Sequence, residues 1–244
     1  MKRILLVVAY DGTNYHGWQI QNNAESVESV LRSALKQLLG ENVDLIGASR
    51  TDAGVHAMGN VAVFDTESGI PADKMCFALN QWLPEDIRVQ SSKEVPLDFH
   101  PRYAKTTKTY EYTIENSRIP NPLNRLYSYF VYSQLDIERM RAGAKHLIGE
   151  HDFASFCSAG SQVKTTVRTI YQIEIEKKEK IITIRIQGNG FLYNMVRIIA
   201  GTLIDMGKGY REPEEMQQIT EAKERRAAGP TAPANGLKLV EISY

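Results

Sequence analysis

Apolar residues in the first hundred positions recur at strand-like and helix-like spacings. The run Ile4 to Tyr10 is rich in branched side chains and meets Asp11-Gly12, which predicts a buried strand that ends in a turn. Farther on, apolar residues recur at helical spacing between a capping Ser26 and a helix-stopping Gly40. These apolar positions are Val27, Val30, Leu31, Ala34, Leu35, Leu38 and Leu39. The pattern also predicts strands over 43–48, 60–66 and 86–91 and a short helix over 72–82.

The second half of the chain repeats this order with different residues. Strands are predicted over 107–116, 167–176, 180–187 and 237–243, and helices after Asp136, over 191–206 and over 213–223. The helix after Asp136 has the apolar face Ile137, Met140, Ala144, Leu147 and Ile148. Each half is therefore predicted to run strand, helix, strand, strand, helix, strand, which is the order of a ferredoxin-like unit.

This repeat predicts an α+β fold of two ferredoxin-like units, residues 1–98 and 99–244. Joining their antiparallel sheets edge to edge would hide exposed edge strands and give one extended sheet. The helices would cover one face of that sheet, and an active-site cleft would lie at the centre of the other face. The Pro- and Asn-rich stretch 119–124 is expected to be a loop.

Composition places the chain among ordinary globular proteins. Of its 244 residues, 43% are hydrophobic and 24% charged, and the formal net charge is zero. The charges are unevenly distributed, with 8 Lys and Arg against 13 Asp and Glu in residues 1–100, and 21 against 16 in residues 101–244. This asymmetry predicts a basic surface in the second half.

Several classes of protein are disfavoured by what the sequence lacks. Cys76 and Cys157 have neither metal-ligand spacing nor a disulfide framework. The apolar N-terminal run is too short for a signal peptide, and no apolar stretch approaches the roughly 20 residues that cross a bilayer. A P-loop, a His-Glu-x-x-His zinc motif and a Gly-x-Ser-x-Gly elbow do not occur. We therefore expect a soluble, cytoplasmic protein.

The segment 48–59 concentrates polar chemistry between two predicted strands. Arg50, Asp52 and His56 lie within seven positions, and the strands on either side would present them from a rigid base. An adjacent guanidinium would keep Asp52 ionised even in a dry site. Two other interpretations stay open: a turn in which Asp52 accepts hydrogen bonds from backbone amides, and a triad of Ser49, His56 and Asp52.

A second candidate region combines basic and aromatic residues. It begins with Phe99-His100-Pro101-Arg102-Tyr103 and continues with Lys105, Lys108, Tyr110 and Tyr112. Such a mixture suits nucleic acid, because cations bind phosphates and rings stack on bases. Tyr110 and Tyr112 share one face of their strand, and the alternative is that they cover the edge of a core.

Arg197 is the only charged residue between Phe191 and Asp205 in a predicted helix. A lone arginine on so apolar an element would need a buried partner, for which Asp52 is a candidate. A surface-facing position is the alternative for Arg197.

Motifs distributed along the whole chain point to one family. They are Tyr10-Asp11-Gly12, Tyr15, Gly17-Trp18-Gln19, the eleven residues from Gly47 to Ala57, Phe99 to Tyr112, Gly149 to Phe153, Gly190 to Arg197 and Thr231 to Leu237. In content and order these blocks resemble the tRNA pseudouridine synthase A family. Lys105 departs from that pattern, because an alanine is common there, and it makes the strand more basic.

The resemblance implies a role for each of five residues. Asp52 would be the catalytic aspartate, and Arg50 would help to extrude the base and hold the aspartate. Tyr110 would stack on the uracil, Arg197 would pair with Asp52, and Leu237 would line the pocket. The family implies a homodimer that acts on uridines 38, 39 and 40 of the tRNA anticodon arm without a cofactor, a membrane or DNA.

Two other functions are weighed against this one. A non-catalytic RNA-binding protein could use the same paired units, but the Gly-Phe-rich strand signature of RNA-recognition modules does not occur. A hydrolase would use Ser49 or His56. For the isomerase itself, the sequence leaves open whether Asp52 attacks as a nucleophile or removes a sugar proton to give a glycal.

Overall fold

The computed structural model describes residues 1–22, 24–161 and 163–244, which form two compact units. Unit 1 consists of residues 1–105 and 239–244, and unit 2 consists of residues 106–238. The chain is α+β with mostly antiparallel strand pairing, which confirms the predicted class.

In unit 1, the described residues form β-strands and two α-helices. Its elements are β1 Lys2–Tyr10, α1 Val27–Leu39, β2 Ile46–Gly47, β3 His56–Thr66, α2 Met75–Leu79, β4 Ile87–Val95 and the part of β10 (Leu237–Ser243) from residue 239 onward. β1 lies between β4 and β3 and pairs antiparallel with both, while β2 and β10 are neighbours of β3.

Helix α1 forms as predicted because both of its ends are capped by local residues. The Ser26 side chain accepts a hydrogen bond from the Ser29 amide, and the Ser29 hydroxyl accepts one from the Ser26 backbone amide. Gly40 ends the helix in the left-handed region at φ 75°. The apolar face of the helix buries Leu31 and Leu35 completely.

The described residues of unit 2 form β-strands and three α-helices. Its elements are β5 Thr107–Asn116, β6 Tyr129–Val131, α3 Ile137–Lys145, β7 Gly149–Asp152, β8 Val167–Lys178, β9 Ile181–Gly188, α4 Met195–Gly207 and α5 Glu215–Ala222. The strands run in the order β5, β9, β8, β7 with antiparallel pairing, and β6 pairs parallel with β5. Asp136 caps α3 as predicted, accepting hydrogen bonds from the amides of Glu138 and Arg139.

Several predicted boundaries are wrong. The strand predicted over 43–48 is reduced to Ile46–Gly47, and the helix predicted over 72–82 is a short turn followed by α2 alone. The helix ends early because the Asn80 side chain exchanges two hydrogen bonds with the backbone of Val89 on β4. The order predicted for the second half lacks β6 and β7, and Ile148 is 45% exposed rather than part of the apolar face.

Helix α4 is the most deeply buried helix of unit 2, with eleven of its thirteen residues buried. It begins at Met195 rather than at the predicted Phe191, because Asn194 adopts a left-handed conformation with φ 60°. The segment after α5 lies directly against α4: the Gly229 amide donates to the Thr202 hydroxyl, and a Cβ on Gly201 would overlap the Pro230 carbonyl.

Candidate active site

Asp52 lies on the loop that joins β2 to β3 in unit 1. Its side chain is half-buried, and that of Arg50, two residues earlier, is exposed. The loop turns at Gly54, which has φ 76°, and the Val55 amide donates to the Asp52 carbonyl at 3.1 Å. His56, placed on the loop by the sequence analysis, is the first residue of β3.

Buried polar side chains on β1 and β3 hold this loop by hydrogen bonds. The hydroxyls of Tyr10 and Thr51 lie 2.7 Å apart, and Tyr10 is 4% exposed. The side-chain amide of Asn60 donates to the Ser49 carbonyl at 3.0 Å and to the Tyr10 hydroxyl at 3.3 Å. Asn60 is fully buried, so these bonds are shielded from competing water. The residues before and after Arg50 are thereby tied to β1 and β3.

The turn after β1 packs against the other side of the loop. The Trp18 amide donates to the Thr51 carbonyl at 3.0 Å, and the Gly54 amide donates to the Tyr15 carbonyl at 3.2 Å. Gly17 has φ 88°, and a Cβ there would lie 2.6 Å from the Thr51 carbonyl oxygen. The motif that begins at Tyr10 and the motif around Asp52 are therefore in direct contact.

His56 is used by the same turn. Its Nδ1 atom accepts a hydrogen bond from the Gly12 amide at 3.0 Å and lies 3.1 Å from a carboxylate oxygen of Asp11. The imidazole is 8% exposed. These contacts favour a structural role for His56, since its Nδ1 atom faces the β1 turn.

Tyr110 and Tyr112 lie on β5 in unit 2 and are both buried. The Tyr110 ring meets the Phe191 ring edge to face, with centroids 5.2 Å apart. The Tyr112 hydroxyl donates to the Pro233 carbonyl at 2.8 Å, and burial raises the pKa of this phenol above its usual value. Tyr112 is thus a core residue of unit 2.

Arg197 is half-buried near the start of α4 and holds two groups of unit 2. Its Nε atom donates to the Ala232 carbonyl at 2.7 Å, and an Nη atom donates to the Asn194 side chain at 2.8 Å. The Ala232 amide in turn donates to the Arg197 carbonyl at 3.1 Å. The guanidinium therefore fixes the stretch that leads to β10.

Leu237 is the first residue of β10 and is 5% exposed. It directly follows Gly236, where a Cβ would lie 2.7 Å from the Tyr112 ring. In unit 2, residues 232–237 form one short stretch: Arg197 binds its first residue, and Leu237 is its last. In unit 1, Arg50 and Asp52 lie on one loop.

Sequence reasoning missed the supports of the Asp52 loop, Thr51 and Asn60 among them. One signal was present, because the polar Asn60 directly precedes the apolar run Val61 to Phe64. Its partner Tyr10 lies fifty residues away in the sequence, so the contact depends on the pairing of β1 with β3.

The described residues were also compared with the requirements of a metal site, a membrane-spanning helix and a disulfide. Within 1–22, 24–161 and 163–244, no three His, Cys, Asp or Glu side chains are placed to hold a metal ion. In the same ranges, no helix combines the length and the apolar character required to cross a membrane. Cys76 is a buried free thiol, and Cys157 is a partly exposed one.

Comparison with known proteins agrees with this arrangement of motifs. A family model described as tRNA pseudouridine synthase matches residues 6–104 and 144–244. Full-length relatives named tRNA pseudouridine synthase A are 52% identical in Acetivibrio thermocellus, 50% in Thermoanaerobacter sp. and 45% in Brevibacillus brevis, each alignment covering all of both chains. With the family model matched across both units, the chain belongs to the tRNA pseudouridine synthases, isomerases that convert uridine to pseudouridine in tRNA.

Proposed function

We propose that Asp52 is the catalytic carboxylate with which this tRNA pseudouridine synthase isomerises uridine. The observation that carries the proposal is the support of its loop: buried hydrogen bonds hold Ser49 and Thr51, and the β1 turn holds the Thr51 carbonyl. A half-buried carboxylate on a loop fixed in this way has the preorganisation that a catalytic group requires.

One carboxylate suffices for the chemistry because the isomerisation is redox-neutral. The bond between C1′ of ribose and N1 of uracil breaks, the uracil turns while it stays bound, and C5 bonds to C1′. The proton on C5 leaves and N1 gains one, so atoms and charge balance. Asp52 acts either as the nucleophile at C1′ or as the base that removes a sugar proton to give a glycal.

We propose uridines 38, 39 and 40 of the anticodon arm as the targets. Flipping a stacked uridine out of an RNA helix costs a few kcal/mol. Stacking of the uracil on Tyr110, worth about 1–3 kcal/mol per base, offsets that cost, and the exposed Arg50 is available to help extrude the base. Leu237, an apolar buried residue, helps to keep water from the detached sugar.

The finer architecture belongs to the same proposal. The order β4, β1, β3, β2 in unit 1, with helices after β1 and β3, supports a ferredoxin-like unit. The extended joined sheet, the central cleft and the pairing of Arg197 with Asp52 rest on the sequence patterns and motifs alone. So do the homodimer and the cytoplasmic location.

Release of tritium from tRNA labelled at uridine C5 tests the catalytic assignment, because bond formation at C5 expels that hydrogen. We expect stoichiometric release by the wild type, none by Asp52→Ala or Asp52→Asn, and unchanged tRNA binding by both variants. The control is Asp73→Asn, which changes a carboxylate that is 71% exposed and should release tritium at the wild-type rate. Turnover by Asp52→Asn would remove Asp52 from the mechanism, and absence of release by the wild type would favour an RNA-binding protein.

A further inference from the structure

The turn formed by residues 99–105 of unit 1 presents an exposed aromatic ring on a fixed base. The amides of Tyr103 and Ala104 both donate to the His100 carbonyl, so the backbone makes one compact turn. Arg3 donates to the Phe99 carbonyl at 2.8 Å, and the Tyr244 hydroxyl donates to the Pro101 carbonyl at 3.0 Å. The first part of the turn is thus held at two carbonyls by side chains from elsewhere in unit 1.

Tyr103 is 85% exposed, yet its ring has a defined position. It stacks on the His100 imidazole with ring centroids 4.1 Å apart and an interplanar angle of 22°. His100 is itself fixed, because its Nδ1 atom accepts a hydrogen bond from the Arg102 amide at 3.2 Å. A ring held in this way loses little conformational entropy when another flat group stacks on its outer face.

The charged residues next to Tyr103 in the sequence indicate what kind of partner it binds. Arg102 and Lys105 flank Tyr103, both are exposed, and residues 99–105 contain no carboxylate. An exposed aromatic ring with cationic residues close to it in the sequence suits a base and its adjacent phosphate, whereas the apolar centre of a protein interface is depleted of charged residues. Arg102 also donates to the Gly47 carbonyl at 2.9 Å, at the end of the strand that enters the Asp52 loop.

We propose that Tyr103 is a stacking platform for a tRNA base other than the reacting uridine, and that Lys105 binds a phosphate beside that base. The inference rests on the proposed function, because it places the platform beside the loop of Asp52. It assigns Tyr103 to substrate binding and not to the chemical steps.

Affinity for tRNA, measured by filter binding at several salt concentrations, tests the stacking. Tyr103→Ala should weaken binding about 5- to 150-fold, as expected for the loss of one stacked base. Tyr103→Phe keeps the ring and should bind within about twofold of the wild type. The matched control is Tyr132→Ala, which removes a tyrosine that is 68% exposed and should leave affinity unchanged. Wild-type affinity for Tyr103→Ala, or equal weakening by Phe and Ala, would overturn the platform.

The salt dependence separates the two parts of the proposal. Tyr103→Ala should leave the slope of log K against log salt unchanged, because stacking releases no counterion. Lys105→Gln should make that slope shallower by about 0.7–0.9, the value for one phosphate contact. An unchanged slope for Lys105→Gln would contradict the phosphate contact. If Tyr103→Ala changed the oligomeric mass of the protein but not its affinity for tRNA, the ring would belong to a protein contact instead.

The rate of tritium release distinguishes the proposal for Tyr103 from the proposal for Asp52. At saturating tRNA, Tyr103→Ala should release tritium at the wild-type single-turnover rate, and a slower rate would contradict a pure binding role. Turnover by the Asp52 variants would end the proposed function whatever Tyr103 does. Normal Asp52 results with wild-type affinity for Tyr103→Ala would end only the platform.

Discussion

The Asp52 loop of unit 1 and the Arg197 region of unit 2 are held by different kinds of interaction. The loop is bound by neutral, buried side chains of Tyr10 and Asn60, which reach its backbone and the Thr51 hydroxyl. The charged Arg197 side chain instead donates to the Ala232 carbonyl. Gly201, on the same helix, has no side chain and so leaves room for the Pro230 carbonyl. The first arrangement positions one side chain, and the second positions a segment. Changes to the loop should therefore act mainly on kcat, and changes around α4 mainly on stability.

Gly201→Ala should break the arrangement in unit 2 and produce the largest effect on stability. The new Cβ would overlap the Pro230 carbonyl, and because backbone atoms must move apart, the free energy of unfolding should fall by about 3 kcal/mol. For a chain of this size that lowers Tm by about 6–12 °C in a thermal melt. Gly69→Ala is the control, since a Cβ there meets nothing within 4 Å. Equal Tm values for the two variants would show that the stretch at Pro230 does not press on α4.

Tyr10→Phe should break the arrangement in unit 1 with a smaller effect on stability and a clear one on catalysis. Removing the hydroxyl leaves the buried Thr51 Oγ1 without this partner, which costs about 1–2 kcal/mol. Displacement of the Asp52 loop should lower kcat, by up to about 100-fold for a shift near 1 Å, while tRNA affinity stays constant.

A double-mutant cycle with Thr51→Val identifies the source of that effect. Because Tyr10→Phe and Thr51→Val remove the two sides of one hydrogen bond, the double variant should be no worse in kcat than the more impaired single variant. Additive losses in log kcat would show that the two hydroxyls act independently. A fall in tRNA affinity with unchanged kcat would contradict the positioning role.

Elements with local signals could be predicted from the sequence, and those that depend on distant residues could not. Helix α1 was predicted with the correct caps because Ser26 and Gly40 act within the helix itself. Helix α4 begins later than its apolar pattern indicates, since Asn194 leaves the helical region and bonds to Ser158 and Arg197. β2 is short because Arg32, on α1, binds the Asp44 side chain and the Leu45 carbonyl just before it.

The candidate site divides in the same way. Arg50 and Asp52 stood out because they cluster in a few positions of the sequence. The link between Tyr10 and Asn60 could not be foreseen, because it depends on the register in which β1 meets β3 and on a bulge after Val8. Local clustering reveals the reactive groups, and strand register supplies the bonds that hold them.

Asp65→Asn should give the smallest effect and sharpen the comparison through its pH dependence. Arg3 and Asp65 face each other on β1 and β3 with two bonds of 2.7 and 2.8 Å, and the guanidinium holds the pKa of Asp65 below its usual value. Because the folded pKa is the lower one, this pair stabilises the fold above the unfolded pKa of about 3.9, and that stability is lost as the pH falls through the folded pKa. The Asp65 side chain is 35% exposed, so screening limits the contribution to about 1 kcal/mol or less.

Urea unfolding at pH 7 and pH 3 checks this expectation. Asp65→Asn should be less stable than the wild type at pH 7, and the difference should shrink at pH 3. That pH lies below the unfolded pKa of about 3.9, so the carboxylate binds a proton more readily in the unfolded than in the folded state. Asp44→Asn is the control, because its carboxylate is 82% exposed and should contribute less. Tyr10, Thr51 and Asn60 carry no charge between these pH values, so the stability lost in Tyr10→Phe should be the same at both. A Tyr10→Phe loss that disappeared at pH 3 would show that the support of the Asp52 loop depends on a carboxylate. The contrast between the neutral support of that loop and the charged support that Arg197 gives its own region would then fail.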